Sequence, residues 1–121
     1  MVQRALPFCG SSRTAEHNIV FLEAVKYAIM TDAAWQDGMY ASQPVKGLRA
    51  VGRVHAGWGF SQAFYWQQLY KKGPFAYATL EDFRVGFWEG FFLAKDANNL
   101  LAMAWTWQHG DVGQPWLRRG P

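Results

Sequence analysis

Apolar positions along this chain recur at helical spacing, and no stretch alternates well enough to form an internal strand. Leu22, Val25 and Ile29, joined by Phe21 and Ala28, mark a helix near residues 15–31. Thr14 stands where its cap belongs, and Glu16 sits favourably in its first turn. "TDAAWQDGMYASQP" is a connector rich in turn residues. The stretch 45–71 reads as one or two helices, although Gly47, Gly52, Gly57 and Gly59 weaken it; such small residues let another helix approach closely. "GPF" breaks the chain at Gly73 and Pro74. Thr79, followed by Glu81 and Asp82, opens a helix near 79–94 whose face is Phe83, Phe87 and Phe91, widened by Trp88 and Phe92. Asp96 caps a last helix, 97–108, with Leu100, Met103, Ala104 and Trp107 on one side. The fold class is all-α: a small domain of about four helices, expected to pair into a dimeric helical assembly.

Composition narrows the picture. The 121 residues suit one domain with one core, and 21 aromatics supply ample material to bury. The formal charge of +3 falls to +1 without Arg118 and Arg119 in the tail, and no basic stripe alternates with aromatics. Nucleic-acid binding is therefore not expected. The apolar runs fall far short of a membrane span, and "MVQRALPFCG" is too short and too soon interrupted for a secretory signal. The single cysteine, Cys9, forms no internal disulfide and fits a reducing compartment, so the expected location is cytoplasmic.

The segments "LPFCGSSRTAEHNIVFLEAVKYAI", "GLRAVGRVHAGWG" and "FWEGFFLAKDANNLLAMAWTWQHGD", in that order, resemble the homoserine O-acetyltransferase branch of the α/β-hydrolases. "KDANNLL" is similar to that family's "DAN" helix start in the lid. The resemblance implies that residues 1–112 are a lid-derived helical domain, with 1–12 the end of a core strand and a linker. It also implies that the nucleophilic serine, on its strand-to-helix elbow, belongs before this stretch, and that the catalytic Asp and His belong after it. Ser11, Ser12, Ser42 and Ser61 have no G-x-S-x-G setting, so no triad residue carries over.

The tail "QPWLRRGP" departs from the pattern. The family's "HGD" is often followed by something like "ANPLYGGD". With one choice of codons, reading residues 113–121 one base later gives Ala-Asn-Pro-Gly-Tyr-Gly-Gly-Asp. We therefore expect residues 113–121 to be a frameshifted tail, of which residues 114–121 contribute nothing to the fold. The chain reads as a lid fragment begun at an internal Met, free of parental activity, and self-associating through the aromatic face a missing core would cover.

Two other readings carry chemistry. His17, His55 and His109 with Asp111 are the candidate metal ligands, from a wider set with Glu16, Glu23, Glu81, Asp82 and Glu89. Brought together at a dimer interface, they would hold Zn²⁺ or another divalent metal with an open water position. Against this, His17 reads as a cap-region side chain, His55 as a hydrogen-bonded half-buried histidine, and His109 with Asp111 as compensation of a helix C-terminus. An apolar pocket from Trp58, Phe64, Trp66, Phe87 and Trp88 would suit activated esters or phosphotriesters, making a small promiscuous metal-dependent hydrolase. Cys9 has no base near it in sequence. The last reading is an apolar ligand-binding module that takes a small aromatic or ester ligand without turnover.

Overall fold

A computed structural model describes residues 11–113. The expected strand end before residue 11, Cys9, and the tail from Gln114 onward lie outside the described residues. Six α-helices follow in order: α1 (Glu16–Met30), α2 (Val45–Trp58), α3 (Gln62–Trp66), α4 (Leu80–Phe83), α5 (Gly90–Leu93) and α6 (Ala97–Gln108). There is no strand among the described residues, only a single antiparallel bridge between Arg13 and Asp111. The all-α class holds. No helix among these residues is long and apolar enough to cross a membrane.

The expected four helices become six for local reasons. The stretch 45–71 breaks after Trp58, and Ser61 restarts it by accepting a hydrogen bond from the Phe64 amide. Left-handed Gln68 then tips the chain into a short 3₁₀ turn, Leu69–Lys71. From Leu80 to Leu93 the backbone stays helical, but Arg84–Glu89 winds as a π-helix between α4 and α5. The wider turn advances the buried face by a residue. Phe83, Trp88 and Phe92 are therefore buried and Phe87 half-buried, while Phe91, expected on that face, is turned outward under Lys95.

Caps separate along similar lines. Thr79 and Asp82 form the expected capping box, and Asp96 caps α6 by accepting from the Asn99 amide. Thr14 does not cap α1; Ala15 holds that position without a side-chain bond. The Thr14 hydroxyl instead donates to the carbonyl of Trp107, and its amide donates to that of Gly110 at 2.8 Å. On α6 the buried positions are Ala97, Ala104 and Gln108, and Met103 faces out rather than in.

The core sits where α2 crosses its neighbours. Ile29, Leu48, Val51, Phe83 and Ala97 have no solvent exposure. Two glycines set the approach. A Cβ on Gly47 would lie 2.8 Å from the Ala28 carbonyl oxygen, and one on Gly52 would lie 2.7 Å from that of Trp88. Close helix packing over small residues, expected from the sequence, is thus realised on both sides of α2. The buried Glu89 carboxylate beside Gly52 is held by Arg53 at 2.7 Å and Arg49 at 3.8 Å, both half-exposed.

The connector is tied to the start of α6. Asp96 accepts from Tyr40 at 2.5 Å and Gln43 at 2.8 Å, and the Gln43 side-chain oxygen Oε1 accepts from the Ala97 amide. The Tyr40 bond first, then the Asn99 amide and Gln43, hold the Asp96 carboxyl below its usual range, and the bond to Asp96 pushes the Tyr40 hydroxyl up. Asn98 accepts from the Trp35 indole and donates to the Gly38 carbonyl, both at 3.0 Å. That clamp closes a turn in which Gln36, Asp37 and Gly38 are all left-handed. The "DAN" triplet is a structural joint.

Candidate functional site

Both ends of the described domain meet at one point. The Val112 amide donates to the Ser12 carbonyl and the Thr14 amide to that of Gly110, each at 2.8 Å, with Arg13 and Asp111 paired between them. Arg13 also reaches the Asp111 carboxylate at 3.9 Å, and Asp111 accepts the Gly113 amide. Just inside, Gln108 of α6 bonds Ile19 and Glu23 of α1, and Lys26 bonds both Glu23 and Gln108. The Lys26 bond, then that of Gln108, lowers the Glu23 pKa. The two ends of the described residues thus lie side by side.

An aromatic cluster begins at this mouth. The carbonyl that anchors Thr14 belongs to Trp107, whose ring meets Trp58 edge-on at 5.8 Å. Trp58 stacks on Phe21 at 4.2 Å, and Phe21 meets the edge of His55 at 5.2 Å. His55 then lies 4.5 Å from Phe92 and 6.3 Å from Trp88. Three helices supply the outer members: α1 gives Phe21, α2 Trp58 and α6 Trp107. Phe21 and Trp58 are half-buried and Trp107 is 40 % exposed, so the cluster is closed toward the core and open at the mouth.

His55 has a defined state. Its Nδ1 sits 2.9 Å from the Val51 carbonyl oxygen, which can only accept, so Nδ1 carries the proton. Burial among aromatic rings pulls its pKa below the usual value, and the Val51 bond only partly opposes this.

The sequence candidates scatter. His17 is exposed on the first turn of α1. His109 caps α6, with Nδ1 2.8 Å from the Trp105 carbonyl and its ring stacked on Trp105. Asp111 turns to Arg13 instead of His109. Among the described residues no group of three or more His, Cys, Asp and Glu side chains is placed to hold a metal ion. The five pocket candidates also part company. Trp58 belongs to the mouth, and Trp88 joins it to the interior through His55. Phe64 and Phe87 pack with Phe60, Phe75 and Phe83 in the core. Trp66 is 90 % exposed, beside an open hollow of about 640 Å³ bordered by Gln62, Ala63 and Tyr65.

Sequence reasoning missed Phe21 and Trp107 as members of a site. Their helical spacing was plain, but nothing in one sequence says that the ends of α1, α2 and α6 converge. Of the serines, Ser61 serves as a helix cap and the Ser11 hydroxyl donates to the Arg13 carbonyl.

The described residues form a helical unit whose two ends meet beside a half-open aromatic cluster. Its relatives are esterases. The chain is 36% identical over 115 residues to an ethyl acetate hydrolase of Pseudomonas veronii and 30% identical over 115 residues to a probable esterase of Corynebacterium glutamicum. Each match takes in 93% of this chain and 32% of the relative, so the chain spans about a third of their length. Among solved structures it is similar to the acetyl esterase MekB and to an acetylester hydrolase from Corynebacterium glutamicum. Both give a TM-score of 0.80, at 36% and 30% identity, over 85% of this chain and 30% of theirs. No protein-family model matches the chain. These matches fit a fragment of an esterase-type hydrolase, and they do not carry the homoserine O-acetyltransferase branch in particular.

Proposed function

We propose that this chain is the helical lid of an acetyl-ester hydrolase of the α/β-hydrolase type, without a serine triad of its own. The observation that carries the reading is the paired mouth, where Ser12 and Thr14 bond Val112 and Gly110. A segment inserted into a larger domain must leave and return at one place, and this one does. The esterase relatives, three times as long as the stretch they share with it, support the same reading. Their names favour water as the acetyl acceptor over homoserine, and a lid that supplies no triad residue serves either chemistry.

Alone, the domain leaves several large apolar side chains in water, among them Tyr27, Trp66, Phe91, Met103 and Trp105. Exposed aromatic surface of this kind drives association, and we propose that the isolated chain pairs with itself through it. No observation favours the zinc reading.

The test is a chimera. Residues 11–113 replace the matching third of the Pseudomonas veronii enzyme, and hydrolysis of ethyl acetate is measured. The lid reading expects turnover well above that of the same enzyme with the segment deleted. A chimera that folds, by its melting transition, yet hydrolyses nothing contradicts it.

A further inference from the structure

The outer face of α2 carries a charged cluster that the mouth does not use. Glu89 closes the π-turn, and its side chain is 3% exposed. Turns of this kind are found mostly at functional sites. The Glu89 backbone packs on α2 at Gly52, where a Cβ would lie 2.9 Å from the Glu89 Cα. Two arginines one turn apart on α2 converge on the carboxylate, both through Nε: Arg53 at 2.7 Å and Arg49 at 3.8 Å. One hydrogen-bonded arginine balances one buried carboxylate, so the second leaves a positive charge over. A buried ion pair is also a poor source of stability, because well-packed apolar residues of similar volume often do as well or better. Stability alone does not account for the cluster.

We propose that Arg49 and Arg53 bind a phosphate group, free or as a phosphate monoester, between their outer Nη groups. This goes beyond the lid reading and does not depend on it. With Nε turned inward to Glu89, each guanidinium keeps its Nη edge for solvent. The two side chains are 56% and 51% exposed, and among the described residues no Nη atom of either is hydrogen-bonded. Each fork matches two oxygens of one anion. Two forks need more than two acceptor oxygens; a phosphate monoester offers three, a carboxylate only two. Holding the forks in advance through Glu89 reduces the ordering that binding would otherwise cost. α2 itself has no acidic residue, and its Lys46 adds a third cation one turn before Arg49. Lys46 also acts on Asp32, whose carboxylate accepts from the Ala34 and Gly47 amides. One turn beyond Arg53 stands Gly57, exposed, where a Cβ would meet no described residue within 4 Å. Glycine at that position puts no side chain beside the arginines and leaves the approach to them open.

The experiment titrates the full chain with inorganic phosphate by calorimetry, against chloride at equal ionic strength. Saturable binding is expected with a Kd on the order of 1 mM, which about two charge-assisted hydrogen bonds supply. Arg49→Gln keeps the bond between Arg53 and Glu89 and should weaken phosphate binding about tenfold. Arg49→Lys, charged but without the fork, should recover only part of that loss, and it stands in should the glutamine variant not fold. Lys72→Gln, just past the 3₁₀ turn Leu69–Lys71, removes an equal exposed charge and should change nothing. Acetate should bind more weakly than phosphate. Glycerol phosphate separates the two sources: equal affinity assigns the site to phosphate monoesters, and binding of inorganic phosphate alone assigns it to the free ion. The proposal is overturned by an absence of saturable binding beyond the chloride control, by unchanged binding in folded Arg49→Gln, by an equal loss in Lys72→Gln, or by acetate binding as tightly as phosphate.

Discussion

The two halves of α2 are built to different ends. In the first half, Gly47, Leu48, Val51 and Gly52 are all buried, and each glycine is fitted to a backbone less than 3 Å from where its Cβ would lie. In the last turn, His55 and Trp58 are half-buried, Gly57 is exposed, and no described residue lies within 4 Å of where a Gly57 Cβ would stand. One helix thus passes from positions that packing accounts for to one, Gly57, that no described residue accounts for. Residues explained by packing report on the fold. Residues of costly type with no packing reason point to something outside the domain.

The largest expected effect comes from the first half. Gly52→Ala must push α2 away from the Trp88 carbonyl, and Gly47→Ala must push it away from α1. Overpacking of this kind typically costs about 1–3 kcal/mol, and the upper end is expected because the obstacle is backbone. Urea unfolding of each variant checks it, and an unchanged midpoint would erase the contrast between the halves.

Acid separates the halves next. The folded pKa of His55 lies below its ordinary 6.5, so the native state keeps the ring neutral while the unfolded chain takes up a proton. Stability from this group is complete above pH 6.5 and declines as pH falls toward the folded value. Glu23, Asp32 and Asp96 act at lower pH: their folded pKa values are also depressed, from 4.5, 3.8 and 3.8, and their stabilisation is lost as pH falls through those lowered values. Melting temperature against pH should therefore decline in two stages. In His55→Gln the upper stage should vanish, and its persistence would assign it to another group.

The smallest effect is the most pointed one. Gly57→Ala meets none of the described residues and should stabilise the isolated chain by about 0.5–1 kcal/mol. A loss of stability there would mean that Gly57 serves the fold after all.

Much of the architecture was legible because it rests on local rules. Asp96 and the Thr79–Asp82 box were readable as caps, and α1 and α6 fall almost where their apolar spacing puts them. What escaped was non-local or non-ideal. The π-turn displaced Phe91 from the buried face, and no periodicity announces such a turn. Thr14 looked like a cap because Ser and Thr are good caps, yet a partner 93 residues away claimed its hydroxyl. Of the five aromatics assigned to one pocket, two went to the core, one to solvent and two to the neighbourhood of His55. Hydrophobicity alone does not distinguish those fates. Phe21 and Trp107 joined the site only through convergence of three helix ends.

The central claim is that this domain departs and returns at one mouth, as an inserted lid must. It is most directly tested by a distance. With Cys9 replaced by Ser, spin labels at Ser12→Cys and Val112→Cys report the separation of the two ends by pulsed electron resonance. Dilution into unlabelled protein keeps contacts between copies out of the signal. The account predicts a single narrow population at short distance, as required by the 2.8 Å bond between the Val112 amide and the Ser12 carbonyl, and its loss on unfolding. A broad or long distribution in the folded chain would contradict it.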